Sequence, residues 1–166
     1  MQNNNIFLIG MPGCGKSTLG VVLAKMLCKE FVDVDLLIQK RLGMTLQDYI
    51  DKKGVDAFLD EEKKTLLSLD VENSVISTGG SAVLCSESVE YMRERGTLVY
   101  LRLPYSLLER RVGNFLTRGI AMKPGQTLRD IYEYRSPIYE AAADVAVDIA
   151  HNDIYENCRM IENQIK

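Results

Sequence analysis

The chain has 166 residues, 46% of them hydrophobic, which is enough to form one domain with a sizeable core. With 20 lysines and arginines against 23 aspartates and glutamates, its formal net charge is -3, which argues against a nucleic-acid partner. Four scattered cysteines predict reduced thiols in a cytoplasmic protein, and no apolar stretch is long enough to predict a membrane span.

The predicted elements begin with a strand, a glycine-rich turn and a helix. Residues 6–9 are a continuous apolar run, which is typical of a strand buried on both faces of a parallel sheet. Apolar residues recur at helical spacing over 17–29, where we predict the first helix. A second strand is predicted over 31–35 and a helix over 36–42, followed by two amphipathic helices within 45–70.

The second half of the chain continues the alternation of strands and helices. Further strands are predicted over 74–77, 97–101 and 144–149, and further helices over 87–95, 105–113, 127–142 and 153–165. Residues 114–126 hold two glycines and a proline and show little periodicity, so we predict a mobile stretch there. This order predicts an α/β fold with a five-stranded, mostly parallel sheet and helices on both faces. Ligands of such folds bind at the carboxyl ends of the strands.

Residues 10–17 read GMPGCGKS and match the phosphate-loop pattern G-x-x-x-x-G-K-[ST] between a predicted strand and a predicted helix. Glycines let the backbone amides point inward, and the helix N-terminus adds partial positive charge, so such a loop binds phosphate. Lys16 would reach the β- and γ-phosphates of ATP as a catalytic cation, and the Ser17 hydroxyl would ligate Mg²⁺. A plain glycine-rich turn is the alternative. The predicted nucleotide-binding residues are Gly10, Pro12, Gly13, Cys14, Gly15, Lys16, Ser17 and Thr18.

Two aspartates, Asp33 and Asp35, end the second predicted strand. In a strand, residues i and i+2 face the same side, so both carboxylates are predicted to point into one crevice. One acid could hold Mg²⁺, and the other could orient an attacking hydroxyl and accept its proton. The alternative is that the acids cap the next helix. Because His151 is the single histidine of the chain, histidine-based triads and histidine-rich metal sites are excluded.

Glycines and cations elsewhere in the chain are weaker signals. Gly79 and Gly80 end the third predicted strand and permit close approach to a ligand, although an ordinary tight turn explains them almost as well. Arg135 could clamp a substrate carboxylate or be a surface charge. Cations that border the stretch 114–126 could stabilise charge on a transferred phosphoryl group or belong to a solvated helix face. They are Arg110, Arg111, Arg118 and Lys123.

Together these motifs resemble shikimate kinase, a phosphate-loop enzyme of the nucleoside-monophosphate-kinase fold. The likeness runs over nearly the whole chain and rests on the loop 10–18, the Asp33-x-Asp35 pair, the segment 54–62, the turn Thr78-Gly79-Gly80, the pair Arg110-Arg111 and the run 135–139. It implies a three-layer sandwich that forms a single kinase domain over 1–166, with a mobile lid at about 113–126 and substrate-binding helices at about 35–62. It also implies ATP and Mg²⁺ as cofactors. With the composition, it leads us to expect a cytoplasmic monomer that binds neither nucleic acid nor membrane.

The resemblance also implies a role for each site residue. In shikimate kinases the position of Asp33 serves Mg²⁺, and that of Asp35 holds the substrate hydroxyls as the base. The backbone at Gly79 and Gly80, together with Arg135, holds the substrate. Two arginines are implied to contact the nucleotide. Arg111 resembles the family's arginine beside the adenine, and Arg118 resembles the lid arginine that reaches the phosphates.

Three positions depart from the family pattern. The family's F-R-x-x-E motif reads Phe58-Leu59-Asp60-Glu61-Glu62 here, so Leu59 replaces an arginine that helps to bind the shikimate carboxylate. Ser81 replaces the third glycine of a triplet, and the lid has Gly119 where the family usually has proline. Losing one charge-assisted contact would weaken carboxylate binding by roughly 1.5 to 3 kcal/mol, unless another cation such as Lys123 takes over.

The activity implied by the resemblance is transfer of the γ-phosphoryl group of ATP to the 3-hydroxyl of shikimate, a step of aromatic amino acid biosynthesis. Asp35 would orient the hydroxyl while Lys16, the metal and Arg118 stabilise charge. Because the acceptor side departs from the family pattern, two alternatives stay open. One is a kinase for another small hydroxy acid or polyol, such as gluconate, and the other is a catalytically silent nucleotide-binding regulatory module.

Overall fold

The computed structural model describes residues 4–113, 119–150 and 153–166, and within them the chain forms one five-stranded sheet. The strands are β1 (Asn5–Ile9), β2 (Glu30–Asp33), β3 (Ser74–Ser77), β4 (Gly96–Arg102) and β5 (Val145–Asp148). They lie in the order β2-β3-β1-β4-β5, and every neighbouring pair is parallel. The predicted strands and the parallel sheet are therefore confirmed, with ends that differ by one or two residues.

Helices connect the strands and cover both faces of the sheet. They are α1 (Lys16–Leu27), α2 (Val34–Leu42), α3 (Leu46–Lys53), α4 (Val55–Leu67), α5 (Ser86–Arg95), α6 (Tyr105–Val112), α7 (Leu128–Ala142) and α8 (Ile154–Ile165). α1 and α8 pack against each other, while α5 and α7 pack on β4. No helix within the described ranges is long and apolar enough to cross a membrane.

The core lies around β1, whose five residues are all buried. Leu8 pairs in register with Ser77 of β3 on one side and with Val99 of β4 on the other. This position explains why residues 6–9 carry no polar alternation, since both faces of the strand are covered by helices. Because β1 lies between two parallel strands, the carboxyl ends of all three strands lie at the same edge of the sheet.

Polar caps and left-handed residues determine where several helices begin and end. Thr127 begins α7 with a capping box, in which it exchanges hydrogen bonds with Asp130. Asp153 begins α8 by accepting two N–H groups of its first turn. Gly43 ends α2 in the left-handed conformation, at φ 65°.

The second strand is shorter than predicted, and this changes the position of the two aspartates. β2 ends at Asp33 and α2 begins at Val34, so the prediction of a strand over 31–35 was wrong at its end. The Asp33 carboxylate accepts the N–H of Leu36 at 3.1 Å. Asp33 therefore caps α2, as the alternative interpretation of the two acids predicted. Asp35 therefore lies in the first turn of α2, and strand alternation does not explain the direction of its side chain.

Three segments between the strands bear on the site. The amphipathic segment 45–70 forms two helices, α3 and α4, which meet at Gly54 as predicted. Residues Ala82–Leu84 form a 3₁₀ turn that the sequence analysis did not predict. Of the stretch predicted to be mobile, residues 114–118 lie outside the described residues, and residues 119–126 form neither helix nor strand.

Candidate active site

A cavity of about 520 Å³ opens at the carboxyl edge of the sheet, where β1 and β3 end. Its walls come from the loop between β1 and α1, the turn after β3, parts of α2 and α4, and residues 119–121. A cavity of this size can bury small ligands. The predicted site residues that line it are Pro12, Gly13, Gly15, Lys16, Ser17, Thr18, Asp35, Gly80 and Arg111.

The loop between β1 and α1 has the backbone of a phosphate-binding loop. Gly13 and Gly15 have φ values of 81° and 106°, in the left-handed region that favours glycine. A Cβ on Gly13 would also lie 2.7 Å from Cγ2 of Val112, so a larger residue would not fit without a shift. α1 begins directly after Gly15 with no side-chain cap, which leaves its first N–H groups available for an anion.

The Lys16 ammonium lies inside this loop. It donates hydrogen bonds to the carbonyl oxygens of Gly10, at 2.8 Å, and of Met11, at 3.0 Å. The residue is 7% exposed and still lines the cavity. A buried positive charge is thus held next to backbone amides, and this arrangement is suited to a polyphosphate.

Ser17 and Asp33 join the start of α1 to the end of β2. The Ser17 hydroxyl donates to Oδ2 of Asp33 at 2.5 Å, and its Oγ lies 3.3 Å from Oγ of Ser77. The other carboxylate oxygen of Asp33 caps α2, which fixes the orientation of the carboxylate. Hydroxyl and carboxylate oxygens are ligands that Mg²⁺ prefers, so this pair fits a magnesium site.

The Asp35 carboxylate lines the cavity from the first turn of α2. Its Oδ1 is buried and has no hydrogen-bond partner among the described residues. Burial raises the pKa of Asp35 from 3.8 to about 6, while the Lys16 charge lowers it and the Asp33 charge raises it. The carboxylate is therefore mostly ionised at neutral pH and can accept a proton.

A second carboxyl group, that of Glu62 on α4, lies against the turn after β3. The residue is 2% exposed, and its Oε1 accepts the N–H of Ser81 at 3.3 Å. A Cβ on Gly79 would lie 1.6 Å from this Oε1 and 3.2 Å from Oδ1 of Asp35, so the lack of a side chain at Gly79 lets the two carboxyl groups approach each other. Burial and the Asp35 charge raise the pKa of Glu62 from 4.5 to about 7.

Arg135 of α7 is buried behind residues 119–121. It is 4% exposed, and its Nη2 donates a hydrogen bond to the carbonyl of Ala121 at 2.9 Å. Nη1 is also buried and has no hydrogen-bond partner within the described part of the chain. Because a buried guanidinium N–H without a partner is unfavourable, this position is suited to an anionic group such as a carboxylate.

The turn after β3 packs directly on the phosphate loop. A Cβ on Gly80 would lie 2.6 Å from Cγ of Pro12, so the two loops touch through backbone and ring atoms. The Gly80 carbonyl accepts a hydrogen bond from the hydroxyl of Tyr139, a fully buried residue of α7. The phosphate loop and the acceptor side are therefore parts of one packed unit.

Arg111 of α6 contacts the phosphate loop from another direction. Its Nη1 donates a hydrogen bond to the Cys14 carbonyl at 3.0 Å. Together with Ile154 of α8 it completes the lining of the cavity beside the start of α1. Arg111 and Ile154 thus add a planar cation and an apolar side chain to the lining of the cavity, which suits a flat aromatic ring.

The structure brings the described candidates together at one edge of the sheet. The predicted residues that contact or adjoin the lining without forming it are Gly10, Cys14, Asp33, Gly79 and Arg135. Arg118, the predicted lid arginine, lies outside the described residues. The side chain of Lys123 is exposed. Glu62 is not among the predicted site residues, and the signal that could have found it is the final glutamate of the F-R-x-x-E motif.

A family model described as shikimate kinase matches residues 12–166. The chain belongs to the shikimate kinase family. This membership confirms the resemblance seen in the sequence, and it identifies the chain as a member of a family of small-molecule phosphotransferases that use ATP.

Individual shikimate kinases are similar to this chain over nearly its whole length. The shikimate kinase of Haemophilus influenzae is 34% identical over 168 residues, which cover 99% of this chain and 91% of that protein. The structure of shikimate kinase from Acinetobacter baumannii in complex with shikimate is 30% identical, with a TM-score of 0.88 over 98% of this chain and 92% of that one. A gluconokinase from Sinorhizobium meliloti is 20% identical, with a TM-score of 0.53 over 96% of this chain and 89% of that one, and this similarity is evidence for a common fold only.

In this member of the shikimate kinase family, the position of Leu59 borders a second, smaller cavity of about 220 Å³. Ser81 lines both cavities, so the smaller one adjoins the acceptor side. Lys63 also borders it, but its ammonium pairs with Glu87 at 2.5 Å. Among the described residues, Arg135 is a buried cation close to the acceptor side.

Proposed function

We propose that the chain catalyses the ATP-dependent phosphorylation of the 3-hydroxyl of shikimate. The observation that supports this most strongly is that one cavity joins a phosphate loop, at Lys16 and Ser17, to an acceptor wall, at Asp35 and Gly80. Family membership supports the reaction class, and the similar protein from Acinetobacter baumannii binds shikimate.

On the donor side, the phosphates of ATP bind the free N–H groups at the start of α1. The Lys16 ammonium pairs with the β- and γ-phosphates and stabilises the charge that develops on the transferred group. Arg111, which is held to the loop through the Cys14 carbonyl, faces the adenine. Arg118, outside the described residues, supplies a further cation near the phosphates.

Ser17 and Asp33 hold the Mg²⁺ ion, which when bound neutralises part of the phosphate charge. The helices at about 35–62 form the acceptor site, and residues at about 113–126 form a lid over the cavity. These parts belong to a single kinase domain over 1–166. We further propose that the enzyme acts in the cytoplasm as a monomer.

On the acceptor side, Asp35 orients the 3-hydroxyl and accepts its proton through the oxygen that lacks a partner among the described residues. The hydroxyl oxygen forms a bond to the γ-phosphorus, the bond from that phosphorus to the bridging oxygen breaks, and ADP leaves. Gly79 and Gly80 let the ring approach the backbone. The Nη1 of Arg135 pairs with the shikimate carboxylate.

A turnover assay with MgATP and a panel of acceptors tests this proposal. Shikimate, gluconate and other small hydroxy acids and polyols are compared by ADP release, and the product is identified by mass spectrometry and NMR. We expect shikimate 3-phosphate to form with the highest kcat/KM. Turnover of another acid without turnover of shikimate would refute the acceptor, and tight ATP binding without any product would indicate a regulatory module.

A melting-temperature screen with MgADP and the same acids supports the assay. A true ligand stabilises the folded protein in proportion to its occupancy, so shikimate should raise the melting temperature more than gluconate does. Asp35→Asn is the control variant for both measurements. MgADP should still raise its melting temperature, but it should no longer turn over the acceptor.

A further inference from the structure

Residues 119–121, called the wall segment below, form part of the cavity and rest directly on α3. All three line the cavity, and Ile120 and Ala121 are buried. Gly119 has φ 71°, and a Cβ on it would lie 2.4 Å from the Cβ of Leu46 on α3. Only a residue without a side chain can bring the backbone this close to the helix without strain.

Two side chains tie the wall segment to the rest of the molecule. Arg135 of α7 donates to the Ala121 carbonyl at 2.9 Å. Gln47 of α3 accepts the N–H of Gly119 through Oε1 at 3.2 Å. The Nε2 of Gln47 donates to Oδ1 of Asp51, one turn along α3, at 2.8 Å, so both ends of the amide group have a partner.

We propose that Gln47 is a positioning residue for the acceptor, a role that rests on the proposed function. By holding the N–H of Gly119, it fixes the wall segment in the position from which Ile120 and Ala121 face the acceptor. It also keeps the Ala121 carbonyl within 2.9 Å of Nη2 of Arg135, and this bond holds the guanidinium beside the wall segment.

The effect of Gln47 should fall on acceptor binding rather than on folding. Gln47 is only half-buried, and its bond to Gly119 is a single neutral hydrogen bond. Among the described residues, the proposed nucleotide contacts lie on the phosphate loop, α1, α6 and α8, whereas the wall segment contacts α3 and α7. Losing this bond should therefore raise the KM of the acceptor more than the KM of ATP.

Gln47→Leu tests the proposal, with Gln164→Leu as the control. Gln164 is an exposed glutamine near the end of α8, outside both the proposed lid and the helices proposed to form the acceptor site. For Gln47→Leu we expect the shikimate KM to rise about three- to tenfold, with the ATP KM and the melting temperature nearly unchanged. For Gln164→Leu we expect the KM of shikimate and the KM of ATP to equal those of the parent.

A rescue experiment separates positioning from a general structural effect. Gln47→Glu alone keeps an oxygen for Gly119 but puts two carboxylates side by side on α3. Combined with Asp51→Asn, it restores a donor and an acceptor, and the shikimate KM should return to within about twofold of the parent. A double variant that stays as impaired as Gln47→Leu would overturn the proposal, as would an unchanged KM in Gln47→Leu.

Hydrogen exchange gives a readout that does not depend on turnover. The Gly119 amide should exchange at least several-fold faster in Gln47→Leu than in the parent, measured by NMR on ¹⁵N-glycine-labelled protein. Equal exchange rates would contradict the role of Gln47. If the parent phosphorylates no shikimate, the proposed function fails, and the exchange result then shows separately whether Gln47 holds the wall segment.

Discussion

Glu62→Gln is expected to change how the stability of the protein depends on pH. Glu62 is buried, and its pKa is raised from 4.5 to about 7. The folded protein therefore holds a proton on this group more tightly than the unfolded chain does, so stability falls as the pH rises from about 4.5 to about 7. Glutamine carries no such proton and keeps an oxygen that can accept the N–H of Ser81.

The size of this effect follows from the change in pKa. One pKa unit corresponds to about 1.4 kcal/mol, so ionising Glu62 in the folded protein costs about 3 kcal/mol. At pH 8 the variant should be more stable than the parent by up to about 3 kcal/mol, and at pH 5 by less than about 1 kcal/mol. For a chain of this length, the difference at pH 8 corresponds to about 6 to 12 °C in melting temperature.

Thermal and urea unfolding of the parent and the variant, followed by circular dichroism between pH 5 and pH 8, measure this difference. Asp60→Asn is the matched control, because it removes an exposed carboxyl group from the same helix, and it should leave the pH dependence unchanged. The reasoning is refuted if the gap between variant and parent is the same at both pH values, or if the variant is the less stable protein at pH 8.

Four further changes test the site itself. Lys16→Ala should lower the rate of phosphorylation more than about 100-fold in a coupled assay, because the phosphate loop loses its buried ammonium. Asp35→Asn should lower kcat by about 10²- to 10⁴-fold, while the Kd of ATP by calorimetry changes less than about threefold; equal turnover would exclude Asp35 as the base. Gly79→Ala should raise the acceptor KM with little change in the ATP KM, since its Cβ would lie 1.6 Å from Oε1 of Glu62. Leu59→Arg should lower the shikimate KM about tenfold by adding a cation beside Glu62, and an unchanged KM would show that this position does not reach the acceptor.

The fold and the nucleotide half of the site could be predicted because their signals are local. Residues 6–9 are apolar without alternation, and this alone indicates a strand buried on both faces. The phosphate loop depends on glycines, a lysine and a serine at fixed spacing between a strand and a helix, all within 10–17. Neither prediction requires knowledge of a distant residue.

The acceptor half depends on contacts between residues far apart in the chain. Asp35 was assigned to a strand because alternation continues through Val34, whereas the side chain of Asp33 caps a helix there. Glu62 lies in the charged run 60–64, which on sequence alone looks like a solvated helix face. Its burial becomes visible only when Gly79, from another element, is placed beside it.

Gly80 and Pro12 determine the distance between the phosphate loop and the acceptor side. Neither residue has a side chain that rotates freely, so the contact between them is rigid. A Cβ on Gly80 would come within 2.6 Å of the Pro12 ring, and the Gly80 carbonyl is held by the Tyr139 hydroxyl. The two subsites therefore cannot slide past each other unless the backbone itself moves. A bisubstrate inhibitor that joins a nucleotide to a cyclic acid should accordingly bind better through a short, stiff linker than through a long, flexible one.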